Sequence, residues 1–140
     1  EAEQAHEGAG ERHVCQGRMA HVHHQLDEMR DALHAADFDR AFELAEHDSL
    51  SLTATTMTGP AGWVYWQPKT IAVFNAVREL REETEIPVYF STDTGASVYV
   101  NTTAEHADRV EDAVAACDVD TDVWSVGGPA EVLDESEALF

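Results

Sequence analysis

The sequence predicts an α+β domain in which helices cover a small antiparallel sheet. Three observations support this class. Apolar side chains recur with the period of a helix through most of residues 11–84. The period then changes to the alternation of strands over residues 87–101, and a helical pattern follows. A length of 140 residues and an apolar content of 44% are enough for one domain with its own core.

The first helix is expected from about residue 11 to residue 35. Apolar side chains recur there at intervals of three and four residues, as on one face of a helix. The expected inward-facing positions are Val22, Leu26, Met29 and Leu33. Residues 1–10 before this helix are polar and contain glycine, which predicts a flexible segment or a connection to another domain.

Two more helices are expected before the sheet. Asp37 suits the cap of a second helix, which begins at Phe38 and ends near Gly59. Pro68 suits the first turn of a third helix, which stops before Pro87. The expected inward positions of the second helix are Phe42, Ala45 and Leu52, and those of the third are Ile71, Phe74, Val77 and Leu80.

Two strands are expected at residues 87–91 and 97–101, which are rich in Val, Tyr and Phe. Thr102 and Glu105 are predicted to form a capping box at the start of a fourth helix. A last strand is predicted at residues 122–126. The inward positions of the fourth helix are expected to be Ala107, Val110, Val114 and Cys117.

The charge of the chain excludes several classes of partner. Asp and Glu number 28 against 8 Lys and Arg, which gives a net charge of −20. Nucleic acids and anionic membranes repel such a chain, and no apolar run approaches the ~20 residues of a membrane span. The acidic and lysine-poor composition predicts a protein of an extreme halophile, working in a salt-filled cytoplasm. No signal peptide is visible, which agrees with a cytoplasmic location.

Two groups of metal-binding residue types favour structural interpretations. His21, His23 and His24 lie off the predicted apolar stripe and next to acidic residues, so a solvated face is expected and no metal site is predicted. Cys15 and Cys117 lack the spacing of metal ligands. Free thiols are favoured, and a disulfide between these two residues stays open.

The main candidate for chemistry is Asp93-Thr94-Gly95, on the turn between the two predicted strands. A carboxylate at such a turn projects from a rigid scaffold. One interpretation is a homodimeric aspartic protease, in which each copy contributes one carboxylate and the two share a proton. Ser91 and Thr92 stand where that protease loop needs apolar residues. Those proteases are also nearly all β, whereas the pattern of this chain is mostly helical.

A much longer part of the chain resembles the mevalonate diphosphate decarboxylase family. The similarity covers roughly residues 12–115, in the same order and at the same spacing as in the family. The stretches that carry it are residues 65–68 (Tyr-Trp-Gln-Pro), 70–81 and 86–96. The resemblance implies that residues 11–140 are the C-terminal, ferredoxin-like domain of a GHMP kinase superfamily enzyme, with an N-terminal ATP-binding domain outside this chain.

The resemblance also implies the reaction. Family enzymes use ATP and Mg²⁺ to phosphorylate the tertiary 3-hydroxyl of mevalonate 5-diphosphate or mevalonate 5-phosphate, and they release phosphate and CO₂. The product is isopentenyl diphosphate or isopentenyl phosphate, for isoprenoid synthesis, and the choice of substrate stays open. Family members are commonly homodimers. Because no phosphate-binding loop or basic cluster is present, these 140 residues alone are predicted to be inactive.

The resemblance assigns roles to one loop. Asp93 corresponds to the family aspartate that acts as a general base on the hydroxyl or orients it. Thr94, Gly95 and Ala96 follow it in the expected substrate-binding loop, with Gly95 as the turn glycine. Thr94 replaces an alanine of the family pattern, and Ala96-Ser97 replaces Pro-Asn.

Overall fold

The computed structural model describes residues 13–129 and 131–132, which form four α-helices and one two-stranded antiparallel sheet. In chain order the elements are α1 (His13–His34), α2 (Phe38–Met57), α3 (Pro68–Thr84), β1 (Val88–Thr92), β2 (Val98–Thr102), a 3₁₀ turn (Ala104–His106) and α4 (Ala107–Ala115). The α+β class is therefore confirmed, and both strands begin one residue later than predicted. The expected segment at residues 1–10 lies outside the described residues. Within the described part, no helix has the length and apolarity of a membrane span.

The core lies where β1 meets the helices on either side of it. Helix α2 packs between α1 and β1, whereas α3 packs on β1 and on α4. Val88 and Phe90 on β1 are completely buried, and the ring of Phe90 stacks on that of Phe74 at a centroid distance of 3.9 Å. Val77, Val110 and Val114 join the buried cluster from the helices, as the sequence predicted.

The outer edge of β1 is closed by side chains of α2. The peptide N–H of Phe90 donates a hydrogen bond to the Glu46 carboxylate at 3.2 Å, and that of Thr92 donates to Ser49 Oγ at 3.1 Å. These bonds satisfy strand groups that would otherwise be buried and unpaired. Helix α2 thus takes the place that a third strand would have beside β1.

A bidentate ion pair completes this edge. Arg81 on α3 donates to both carboxylate oxygens of Glu46, at 3.1 and 3.3 Å, and to the carbonyl oxygen of Val88 at 2.9 Å. Burial alone would lower the pKa of Arg81, but the hydrogen bonds and negative charge of Glu46 outweigh it and raise that pKa. The pair therefore ties α2, α3 and β1 together.

The predicted inward face of α1 is wrong in part. Leu26 and Leu33 are 48% and 65% exposed, whereas Ala32 is buried. Helix α1 has α2 as its main neighbour. The side of α1 that carries the small residue Ala32 faces α2. On this side Arg18 also reaches α2 and forms an ion pair with Asp48, at 2.5 and 2.9 Å.

The predicted inward faces of α2 and α3 also need correction. On α2 the predicted residues Phe42, Ala45 and Leu52 are only half-buried. Its fully buried positions are Ala41, Leu44, Glu46, Ser49, Thr53, Thr55 and Thr56. On α3 Ile71 is 41% exposed, and Val73 takes the buried position. The face of α2 differs from the prediction because β1 requires hydrogen-bond partners as well as apolar contacts.

Two predicted features after β2 are wrong. Thr102 is the last residue of β2, and its hydroxyl donates to the carbonyl oxygen of Pro87 at 2.8 Å instead of capping a helix. A 3₁₀ turn precedes α4, and its cap residue Thr103 makes no side-chain capping bond. Residues 122–126 form no strand with the described part of the chain. The Thr102 hydroxyl is used by a distant residue, and residues 122–126 have no neighbouring strand among the described residues.

Candidate functional site

The loop between β1 and β2 comprises residues 93–97, and the strands on both sides of it are fixed. Thr92 pairs with Val98 as the last register pair of the hairpin. The N–H of Thr92 is also bound to Ser49 on the opposite side of β1. Because the strand is held on both edges up to Thr92, Asp93 begins the loop from a defined position.

The carboxylate of Asp93 is oriented by its own loop. Asp93 Oδ1 accepts a hydrogen bond from the N–H of Gly95 at 2.6 Å, which is an Asx turn. The hydroxyl of Tyr99 lies 3.5 Å from Oδ2, a long contact. A Cβ atom on Gly95 would lie 3.0 Å from Oδ1, so a larger residue at position 95 would displace the Asp93 carboxylate by a few tenths of an ångström. Asp93 is exposed, and its ionised form can only accept hydrogen bonds.

A shallow recess lies beside this loop. It is lined by Leu52, Thr53, Thr56, Tyr65, Trp66, Asp93, Thr94 and Gly95. The hydroxyls of Thr53 and Thr56 donate to carbonyl oxygens within α2, so these two donors are already used. The ring of Trp66 packs edge-on against Phe74 and fixes the wall of the recess to the core. The recess is therefore a rigid surface of apolar side chains, hydroxyls and one carboxylate.

Two buried hydroxyls near the loop have no hydrogen-bond partner among the described residues. They are the phenol of Tyr65, which lines the recess, and the hydroxyl of Thr92, which precedes Asp93. A buried polar group without a partner costs about 1–3 kcal/mol. The ring of Tyr65 stacks on Trp63 at 6.1 Å, so the phenol is held in place despite this cost. The site therefore holds unused hydrogen-bonding capacity next to Asp93.

The structure brings together only part of the predicted loop. Asp93, Thr94 and Gly95 line the recess, whereas Ala96 is exposed and does not. The sequence interpretation gave Tyr65 no role in the site. The available signal was its place in the 65–68 stretch that carries the family resemblance. Nothing in the sequence marked Thr53 and Thr56 as recess residues, because hydroxyl side chains within a helix have many roles.

The remaining candidates lie apart from this loop. His21, His23 and His24 are exposed on α1, and the described residues hold no group of three or more His, Cys, Asp or Glu that could bind a metal ion. Cys15 and Cys117 are both free and half-buried. Among the residues that line the recess there is no Lys or Arg. The described recess therefore lacks the cations that bind nucleotide phosphates.

Comparison with known proteins agrees with the predicted family. The family model for the mevalonate 5-diphosphate decarboxylase C-terminal domain matches residues 12–128. The phosphomevalonate decarboxylase of Haloferax volcanii is 77% identical over 140 residues, which is 100% of this chain and 43% of that relative. The chain thus spans less than half the length of this relative.

Solved structures share the fold. A structure of the mevalonate diphosphate decarboxylase from Enterococcus faecalis superposes with a TM-score of 0.76 at 24% identity, over 83% of this chain and 36% of that one. The enzyme from Staphylococcus aureus gives a TM-score of 0.70 at 25% identity, over 74% and 31%. The helix-rich fold and these matches give no support to the aspartic protease interpretation. The chain belongs to the family of mevalonate 5-diphosphate decarboxylase C-terminal domains.

Proposed function

We propose that this chain is the C-terminal part of an ATP-dependent phosphomevalonate decarboxylase of the mevalonate pathway. The reaction converts mevalonate 5-phosphate and ATP to isopentenyl phosphate, ADP, phosphate and CO₂. The observation that carries the proposal is the exposed Asp93 carboxylate, held by the Gly95 N–H at the end of a fixed strand in a chain of this family. Identity of 77% to a phosphomevalonate decarboxylase favours the monophosphate over the diphosphate as substrate.

Asp93 acts on the tertiary hydroxyl of the substrate. One of its oxygens is fixed by the Gly95 N–H, and the other has only the long contact to Tyr99, so it is free to accept the hydroxyl proton. A carboxylate in this position orients the hydroxyl oxygen for phosphoryl transfer and takes its proton. Thr94 and Gly95 form the adjoining wall of the substrate site, and Ala96 continues the loop at its exposed rim.

The nucleotide site lies in another part of the full-length protein. The recess offers one carboxylate and no Lys or Arg, so its residues do not fit the phosphates of ATP or the Mg²⁺ that accompanies them. A related structure with a TM-score of 0.72 and 25% identity is described as a complex with MVAPP, AMPPCP and magnesium. We assign ATP and Mg²⁺ mainly to an N-terminal domain that precedes this one. The 140 residues alone are then expected to release no CO₂.

Two further features of the proposal concern the setting of the enzyme. The net charge of −20 suits a salt-filled cytoplasm, where screening mutes the repulsion between carboxylates. A homodimer, which the family resemblance implies, is part of the proposal. Light scattering of the full-length protein in molar KCl checks it, because a mass of one chain at micromolar concentration would contradict the homodimer.

The test is an assay of the full-length protein in molar KCl, with ATP and either mevalonate 5-phosphate or the 5-diphosphate. We expect CO₂ release from the monophosphate, and a fall of about 10²–10⁴-fold in kcat for Asp93→Asn because general acid–base catalysis is lost. Asp108→Asn is the matched control, since Asp108 is exposed on α4 and does not line the recess. Turnover that survives in Asp93→Asn, or none with either substrate, would contradict the proposal. Preference for the diphosphate would overturn only the choice of substrate.

A further inference from the structure

The segment of residues 122–126, which follows α4, is anchored at its start and uncovered along its length. Asp118 ends the turn after α4 and forms an ion pair with Lys69 at 2.6 Å. Val119 packs against the core, and the hydroxyl of Thr121 donates to Glu111 at 3.1 Å. From Asp122 onward the described residues are exposed. The chain is therefore held in place up to the point where this segment begins.

The 122–126 segment exposes the largest apolar side chains of this part of the molecule. Val123 is 58% exposed, Trp124 is 78% exposed and Val126 is fully exposed. Among the described residues no backbone hydrogen bond involves this segment. Full burial of a side chain of this kind stabilises a protein by about 1.5–3 kcal/mol each. Adjacent exposed apolar residues on a chain with a net charge of −20 indicate a surface that is covered in the complete protein.

The segment also has the sequence of a strand. Val123, Trp124 and Val126 have high strand propensity, and this pattern is the reason for the strand predicted at residues 122–126. A strand needs a neighbour for its peptide groups. The α2 side of β1 is not available as that neighbour, because Glu46 and Ser49 already accept its free N–H groups. The pattern and the structure agree if the neighbour lies outside the described residues.

We infer that the 122–126 segment pairs with, and packs against, the part of the full-length protein that lies outside these 140 residues. That part is large, because the chain covers only 43% of its Haloferax volcanii relative. A second copy of this chain is the alternative occupant, and a crosslinked dimer would reveal it. The inference goes beyond the proposed reaction, since it concerns how the two parts of the protein are joined.

Acrylamide quenching of tryptophan fluorescence in the full-length protein tests whether Trp124 is covered. The difference between wild type and Trp124→Phe isolates the emission of this one residue. We expect that emission to be blue-shifted and weakly quenched. The half-buried Trp63 supplies a reference through Trp63→Phe, because its emission should show intermediate quenching. A red-shifted Trp124 emission, quenched like that of free tryptophan, would overturn the inference.

Photo-crosslinking then identifies what covers Trp124. The full-length protein with Trp124→p-benzoylphenylalanine is irradiated, and crosslinked peptides are mapped by mass spectrometry. We expect crosslinks within one polypeptide to residues outside this 140-residue stretch. A band of dimer mass on a denaturing gel, crosslinks to β2, or a yield no higher than with the same residue at the exposed Asp108 would each overturn the inference. Neither experiment measures turnover, so its outcome is independent of the proposed function.

Discussion

The two ends of β1 are built differently. At the end that begins with Val88, Arg81 pairs with Glu46 and with the strand itself, so the charged groups buried there have partners, whereas the hydroxyl of Thr103, just after β2, has none among the described residues. At the end that leads to Asp93, the buried hydroxyls of Tyr65 and Thr92 have no partner among the described residues. A fully paired network stabilises the fold, whereas unpaired buried groups reduce stability and are typical of sites completed by a ligand or another domain. The first end therefore supports the fold, and the second holds the candidate site.

The largest effect on stability is expected at the paired end. Glu46→Ala leaves Arg81 without its carboxylate and the N–H of Phe90 without an acceptor. We expect the free energy of unfolding to fall by about 3 kcal/mol, the lower part of the range for a broken buried pair, because Arg81 keeps some contact with water. Denaturant unfolding of the full-length protein measures the loss of stability. Hydrogen exchange of the β1 amides shows whether the loss arises at the edge of β1 that Glu46 and Arg81 hold.

The control for this prediction is Glu43→Ala on the same helix. Glu43 forms its ion pair with Arg40 near the surface, and its side chain is 47% exposed. Surface pairs contribute about 0–1 kcal/mol, so this change should have little effect. Equal losses for Glu43→Ala and Glu46→Ala would show that the edge of β1 gives no special stability.

The next effect is expected at the site end, in activity. In Gly95→Ala the new Cβ meets Asp93 Oδ1 at 3.0 Å, so the carboxylate must move. A misplacement of 1 Å near the reacting atoms costs about 10²-fold in rate, so a shift of a few tenths of an ångström costs less, and we expect kcat to fall about tenfold with the fold intact. Gly17→Ala on α1 is the control, because nothing lies within 4 Å of the new Cβ. Full activity of Gly95→Ala would show that the position of the Asp93 carboxylate is not critical.

The variants Tyr65→Phe and Tyr89→Phe allow a direct comparison of the two ends of β1. Tyr65→Phe removes a hydroxyl that has no partner in the described structure, so we expect the substrate-free enzyme to lose no stability and to gain up to about 1 kcal/mol. We expect turnover to fall about tenfold, the equivalent of one hydrogen bond to the bound substrate. Tyr89→Phe should do the opposite, because the Tyr89 hydroxyl donates to Asp39 at 3.0 Å. A less stable but fully active Tyr65→Phe enzyme would contradict this contrast.

The sequence predicted most of the elements, because helix and strand periods are local. The cap at Asp37, the start at Pro68 and the hairpin around Asp93 were all found this way. Glu46 and Ser49 could not be predicted as buried, because the pattern assigns polar residues to solvent, and their burial depends on the free edge of β1. The role of Tyr65 in the recess depends in the same way on a loop 28 residues further along the chain.

The same difference between local patterns and contacts of distant residues explains the wrong predictions outside the sheet. On α1 the helical period allows either Leu33 or Ala32 to face inward. Only the approach of α2 decides that Ala32 is buried and Leu33 is exposed. Thr102 and Glu105 have the spacing of a capping box, but the Thr102 hydroxyl is bound to Pro87 across the hairpin. A local pattern lists the conformations that a segment accepts, and the packing of distant residues selects one of them.

The smallest effect is expected from the titration of Tyr89, at the paired end of β1. Burial, and then the hydrogen bond to Asp39, raise the pKa of Tyr89 to about 12 from its ordinary value of 10.0. The protonated phenol therefore favours the folded state. Its contribution is complete below pH 10 and is lost as the pH rises from 10 to about 12.

The measurement is the free energy of unfolding of wild type and Tyr89→Phe between pH 8 and pH 12. We expect the two curves to converge above pH 10. Wild type then loses the stabilisation by the protonated Tyr89 phenol, which the variant lacks at every pH. The effect should be smaller than those above, since Tyr89 is only half-buried and solvent screens its charge. Parallel curves would show that the hydroxyl of Tyr89 is not held by Asp39. In that case the paired end of β1 would depend on Glu46 and Arg81 alone.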